Sequence, residues 1–229
     1  MTASRLGAER RFAIEAVVSA ARLTKAVRDD FDPDAEAVSK ADSSPVTVAD
    51  LGAQALVRMA MVEALPGDGM MGEEDFGQLA ESADLADAVL ARVRAQRPEV
   101  TLDDLREALE GCDDPGGPER RWWTLDPVDG TKGFLRNEQY AIALALVEDG
   151  EVVLGVMGCP NLPYDGEPGD PEVGGPIGVL FVAVRGEGTH MMPLFEATAD
   201  APGEPVQAAA PSSTAEARYA ESVEAAHSN

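Results

Sequence analysis

Between Trp123 and Phe134 the chain reads WTLDPVDGTKGF, a short apolar run that ends in two carboxylates, a hydroxyl and several turn-forming residues. A strand that delivers Asp126 and Asp129 to one turn creates a site for a hard cation. Mg²⁺ favours oxygen donors and dehydrates reluctantly, so carboxylates joined by a strained backbone carbonyl suit it. Thr131, just past the turn, stands where a hydroxyl can orient a water held by the same metal. Together these residues suggest metal-assisted hydrolysis of a phosphate ester. Taken alone, Asp-Pro and Asp-Gly are ordinary turn formers, and D-P-V-D-G by itself reads equally as a turn.

The elements that must position these residues follow from periodicity. Apolar residues at three-and-four spacing (Leu6, Ala13, Val17, Ala20, Val27) predict a long helix from about Ser4 to Asp29 with one buried stripe. A polar segment from Asp30 to Ser44 precedes a second helix, from about Val48 to Ala64, which Leu65-Pro66-Gly67 stops. Met70-Met71 reads as the end of a strand that opens into the Gly72-Glu73-Glu74-Asp75 loop. Leu79 to Gln96 and Thr101 to Gly111 read as acid-rich helices, and Asp113 to Glu119 as a Pro/Gly loop. After a short helical piece beyond Asp129 the period becomes two. Strands are expected over Tyr140–Val147, Val152–Met157, Gly178–Val184 and Gly188–Leu194, joined by hairpins. Gly186-Glu187-Gly188 has no following helix, so it reads as a hairpin turn rather than a phosphate-binding loop. Asn161 to Pro176 is expected to be a long loop, and Ala197 to Ala215 is rich in Ala, Pro and Ser.

Composition bounds the function. The 229 residues carry 42 acidic and 18 basic side chains, a net charge of −24. Such a surface repels nucleic acid polymers and anionic membranes, and it makes a local cation necessary for any anionic substrate. Only Cys112 and Cys159 occur, without zinc-like spacing, which fits a reducing cytoplasm better than secretion. The N-terminus lacks a signal-peptide core, and no apolar run approaches the roughly 18 residues of a membrane span. A soluble, cytoplasmic chain is expected.

Beyond single residues, the line Thr131-Lys132-Gly133-Phe134-Leu135-Arg136, Glu138-Gln139-Tyr140-Ala141 and Gly158-Cys159-Pro160-Asn161-Leu162-Pro163 narrows the reading. It resembles the magnesium-dependent, lithium-sensitive phosphomonoesterases of the inositol monophosphatase superfamily. Within them it is most similar to the 3′(2′),5′-bisphosphate nucleotidases. The inositol branch usually has Thr-Asn where Lys132-Gly133 stand. Asn137 replaces a common Gly, a change a turn tolerates because Asn accepts left-handed backbone angles.

The resemblance implies an α+β fold: layered helices on a mostly antiparallel sheet, as in inositol-monophosphatase-like sugar phosphatases. It implies a metal-binding domain over residues 1–215, with 216–229 the start of a second, α/β domain that is largely missing. No W-D-x-A-x-G motif follows, although in these relatives its aspartate completes the second metal site. The fragment is therefore expected to be weak or inactive.

It further implies Mg²⁺ bridged by Asp126, with Asp129 on the second ion and the Val128 carbonyl on the first. Glu73, the first Glu of G-E-E, supplies another ligand, with Glu74 the fallback. Asp50 pairs with Thr131 to activate the attacking water, although Thr47-Val48-Ala49-Asp50 also fits a helix capping box. His227 and Thr131 would contact the substrate, a small phosphorylated nucleotide. Lys132 and Arg136 balance either phosphate charge or neighbouring carboxylates. The implied reaction removes the 3′-phosphate of adenosine 3′,5′-bisphosphate to give AMP. Inositol phosphate hydrolysis, or an inactive metal-binding remnant, are the alternatives.

Overall fold

The first helix, α1, runs from Gly7 to Asp29 and buries a broad face, from Phe12, Ala13 and Ile14 to Thr24 and Val27. It needs that width because it packs both on the sheet, at β3 and β4, and against a second helix, α2. The computed structural model describes residues 5–31, 45–165 and 177–215. Residues 216–229, with His227, lie outside the described residues, as does most of the expected 30–44 segment.

Helix α2 spans Pro45–Ala64. It begins three residues earlier than expected, on a proline, whose missing N–H is no loss in the first turn of a helix. A short strand, β1 (Gly69–Met71), follows, then helices α3 (Gly77–Glu81), α4 (Ala83–Arg94) and α5 (Leu102–Glu110). Periodicity predicted one helix over 79–96. Ser82 divides it, because its backbone is extended and its side chain accepts the N–H of Leu85, capping α4. Thr101 and Asp104 close a capping box at the start of α5. Helices α4 and α5 pack against α2.

Seven strands follow one another in order across a single sheet. They are β1, β2 (Arg121–Asp129), β3 (Ala141–Glu148), β4 (Glu151–Pro163), β5 (Ile177–Val184), β6 (Gly188–Pro193) and β7 (Glu204–Val206). Only β1 and β2 are parallel; the rest pair antiparallel. The β3–β4 hairpin turns on Asp149-Gly150, both at positive φ (51° and 78°), as a two-residue turn between twisted strands demands. The Gly186–Gly188 segment is the β5–β6 hairpin turn, as expected.

Two expectations shift here. Strand β4 continues to Pro163, past a register irregularity after Cys159, so residues 161–163 are strand rather than loop. Strand β7, absent from the expected strands, covers the edge of β6, with His190 opposite Pro205.

One core unites the layers. Ile142, Leu144, Leu146, Leu154, Val156, Leu180 and Val182 point from the sheet toward the helices. At one end, Arg121 ties three elements together through Glu9 (2.9 Å), Asp68 (2.9 Å) and Glu148 (2.6 Å), and Trp123 Nε1 donates to Asp68 beside it. Phe12 meets Trp123 edge-to-face at 5.0 Å. The opposite sheet face is clothed in small apolar side chains such as Ala143, Ala145 and Ala183, which with Met157 and Phe181 line a groove reaching Asp126. Both cysteines are free and buried, and burial pushes the Cys112 thiol up to about 12 and the Cys159 thiol to about 11. Among the described residues, no helix is long and apolar enough to cross a membrane.

Candidate metal centre

The far end of β2 from Arg121 carries the aspartates. The sequence suggested a turn holding both; instead the strand runs through Asp129 and kinks inside. Asp126 pairs with Ala143 and Asp129 with Ala141, so the stretch between them holds one residue more than its partner strand. A proline there cannot donate to a ladder, and an extra residue is the usual relief. The bulge leaves the Val128 carbonyl outside the paired register. It also lets the Val128 N–H donate to Asp126 Oδ1 at 3.1 Å, which fixes that carboxylate. Val128 itself is buried, whereas Asp129 is exposed.

Strand β1 brings the second acidic group. Parallel pairing sets Met71 beside Thr124, and two residues further along each chain stand Glu73 and Asp126. Their carboxyls lie within hydrogen-bonding reach of each other. Burial, then the Glu73 and Asp129 charges, push Asp126 up to about 6. Glu74 is half-buried, and burial followed by the charges of Glu73 and Asp75 raises it, against a hydrogen bond from Gln78.

Asp50 comes from α2. Because that helix already begins at Pro45, Asp50 is not the closing residue of a capping box at Thr47. It stands inside the helix, 8% exposed. Burial raises its carboxyl to about 8, and the charged groups acting on it, Glu74, Glu73 and Asp126, all have the same sign. A buried carboxylate facing three more is stable in ionised form only with a cation among them. That is the fit expected for a metal of oxygen preference. The convergence is incomplete: no three His, Cys, Asp or Glu side chains among the described residues form a closed metal-ligand set.

Thr131 opens helix α6 (Thr131–Arg136), which packs against α2, but it is exposed and makes no hydrogen bond to Asp50. Asn137 ends α6 at φ 57°, ψ 34°, the left-handed conformation its side chain tolerates. Gly133 is sterically required, since a Cβ there would lie 1.9 Å from the Gln139 carbonyl oxygen. Arg136 stands 4.0 Å from Glu138.

One residue at the site escaped the sequence reading. The amide of Gln54, fully buried, grips the loop after β1. Its Oε1 accepts the N–H groups of Glu73 and Glu74, each at 3.0 Å, and its Nε2 donates to the Glu74 carbonyl at 2.6 Å. The only signal in the sequence is its spacing, one helical turn after Asp50 on the same face.

With this geometry in view, the chain matches the inositol monophosphatase family over residues 9–228. It is 40% identical to 3′(2′),5′-bisphosphate nucleotidase 2 of Candida albicans, over 81% of this chain and 55% of that protein. It is 38% identical to the 3′(2′),5′-bisphosphate nucleotidase of Schizosaccharomyces pombe, over 96% of this chain and 65% of that one. With 3′(2′),5′-bisphosphate nucleotidase 1 of Arabidopsis thaliana the identity is 40%, over 83% and 57%. The chain thus spans between 55% and 65% of the length of these relatives. The family match extends over nearly the whole described structure, including every element that carries the acidic cluster: this chain belongs to the inositol monophosphatase family.

Proposed function

We infer that this chain carries the metal-binding site of a phosphomonoesterase, and that its substrate is adenosine 3′,5′-bisphosphate, cleaved at the 3′-phosphate to give AMP and phosphate. The observation that carries this reading is the group of like-charged carboxyls around a buried Asp50, with Asp50 and Asp126 both well above the ordinary carboxylate range. Acids placed so that they cannot all ionise alone mark a cation site. The names of the relatives, bisphosphate nucleotidases, support the substrate.

Glu73, Asp126, Asp129 and the Val128 carbonyl would hold Mg²⁺. When bound, the ion neutralises phosphoryl oxygens and acidifies water. The chain's own residues then divide the work. Val128 N–H keeps Asp126 in one orientation. Asp50, ionised once its neighbours are neutralised, accepts a proton from the attacking water, and the Thr131 hydroxyl orients that water. Thr131, at the exposed start of α6, and His227 would contact the substrate. A cytoplasmic location agrees with two free, buried thiols.

The test is phosphate release from adenosine 3′,5′-bisphosphate and from inositol 1-phosphate, with and without Mg²⁺, for wild type and Asp126→Asn. At most weak Mg²⁺-dependent release from the bisphosphate, lost in the variant, is expected. Preference for inositol 1-phosphate would replace the substrate. Metal binding without release from either would make the chain a metal-binding remnant.

A further inference from the structure

Four carboxyls that repel one another do not gather unless the backbone beneath them is held. Glu73, Glu74 and Asp75 follow one another on the segment between β1 and α3, where no ladder pairs the chain. Left to electrostatics, this segment would swing toward water and away from Asp50 and Asp126, since like charges cost least when solvated and apart. The Gly72 N–H bond to the Cys112 carbonyl ties only the root of the segment; beyond it, what opposes the swing is Gln54. Its amide satisfies two backbone N–H groups and one carbonyl of the segment at once. Burying a primary amide completely is unfavourable unless it is bonded, so this side chain is committed to the loop. The contact even dictates its neighbour: a Cβ on Gly72 would fall 2.5 Å from the Gln54 amide carbon. Because Asp50 and Gln54 lie one turn apart on α2, a single helix both supplies one acid and holds the backbone of two others.

We propose that Gln54 is a positioning residue for the divalent cation: it holds Glu73 opposite Asp126, and cation affinity depends on it although it touches neither metal nor substrate. The inference rests on the metal-site reading above. A glutamine that only filled the core would be replaceable by methionine of similar volume at little cost. Here that replacement strands two N–H groups and a carbonyl and releases the loop.

The experiment is a double-mutant cycle on the 229-residue chain, read by Mn²⁺ binding through the loss of its free-ion electron paramagnetic resonance signal. The apo melting curve is recorded for each variant. Wild type, Gln54→Met, Glu73→Gln and the double variant are compared. Gln54→Met is expected to weaken Mn²⁺ about 10-fold or more, the scale on which residues behind metal ligands act. The double variant should bind little worse than Glu73→Gln alone, because Gln54 acts through Glu73. Gly72→Ala, which displaces the amide from the other side, should reproduce the Gln54→Met loss and takes its place in the cycle should that variant not fold. A folded Gln54→Met with wild-type affinity, or losses that multiply in the double variant, would overturn the proposal. Absence of Mn²⁺ binding by wild type would instead overturn the metal-site reading, and this inference with it.

Discussion

Glu73 and Asp126 meet because β1 and β2 run parallel. Met71 is aligned with Thr124, and each strand extends two residues past that pair to a carboxyl. Two acids far apart in sequence are thereby set side by side at one end of the sheet, beside a third from α2. The arrangement is unfavourable without a counter-ion, and that is what makes it informative.

The first expectation concerns pH. Asp50 is raised from 3.8 to about 8, so between those values the folded chain holds a proton that the unfolded chain has released. Stability therefore falls as pH rises through this window, by at most about 1.4 kcal/mol per pH unit for one proton, and the loss is complete above 8. Asn carries no charge at any pH. Urea melts of wild type and Asp50→Asn should show a gap that widens in favour of the variant from pH 5 to pH 9. Parallel stability curves would show that Asp50 titrates normally.

Mg²⁺ should reverse that penalty. A ligand present at 100 times its Kd stabilises by about 2.7 kcal/mol, which for a chain of this size is a rise in Tm of roughly 5–10 °C. The shift should be larger at pH 8 than at pH 5, where Asp50 and Asp126 are largely protonated and the ion competes with their protons. Asp126→Asn, Asp129→Asn and Glu73→Gln should each diminish it. Equal shifts in wild type and all three variants would place the ion elsewhere.

A side chain at position 133 should be costly. Gly133→Ala puts a methyl group 1.9 Å from the Gln139 carbonyl oxygen, backbone that cannot move aside as a side chain would. Overpacking of this kind costs about 1–3 kcal/mol. Differential scanning calorimetry should show a lowered Tm, and an unchanged Tm would mean that the Gln139 backbone moves aside after all.

Salt should stabilise the chain. With a net charge of −24, self-repulsion destabilises the compact state, and at 1 M ionic strength the Debye length shrinks to about 3 Å. Raising KCl from 0.05 to 1 M should increase Tm by several degrees even without divalent ions. A Tm that falls with KCl would mean that ion pairs such as those around Arg121 outweigh the repulsion.

Much of this molecule was readable locally. The stripe Ala13, Val17, Ala20 predicts a helix because side chains three and four apart share a face, and α1 ends at Asp29 as the pattern does. Alternation along Ile142, Leu144 and Leu146 predicts a half-covered strand, and Gly186 and Gly188 mark the β5–β6 hairpin because turn chemistry is a property of a few consecutive residues. The acids at 126 and 129 were likewise visible as a pair. The two-carboxylate turn, however, became a bulged strand, because whether Pro127 bends the chain or is absorbed depends on the partner strand β3. Ser82 read as part of a helix until its hydroxyl capped the next one.

Only the tertiary structure decided what the acids experience. Whether Asp50 caps a helix or lies buried in it depends on where α2 begins and what packs on it. Whether Glu73 reaches Asp126 depends on a parallel register between distant segments. Gln54 becomes important only when a loop closes over α2. Residue type and spacing determine local geometry and which groups are able to ionise. Burial and the proximity of like charges are set by contacts across the chain, and these move a carboxyl from 3.8 to about 8.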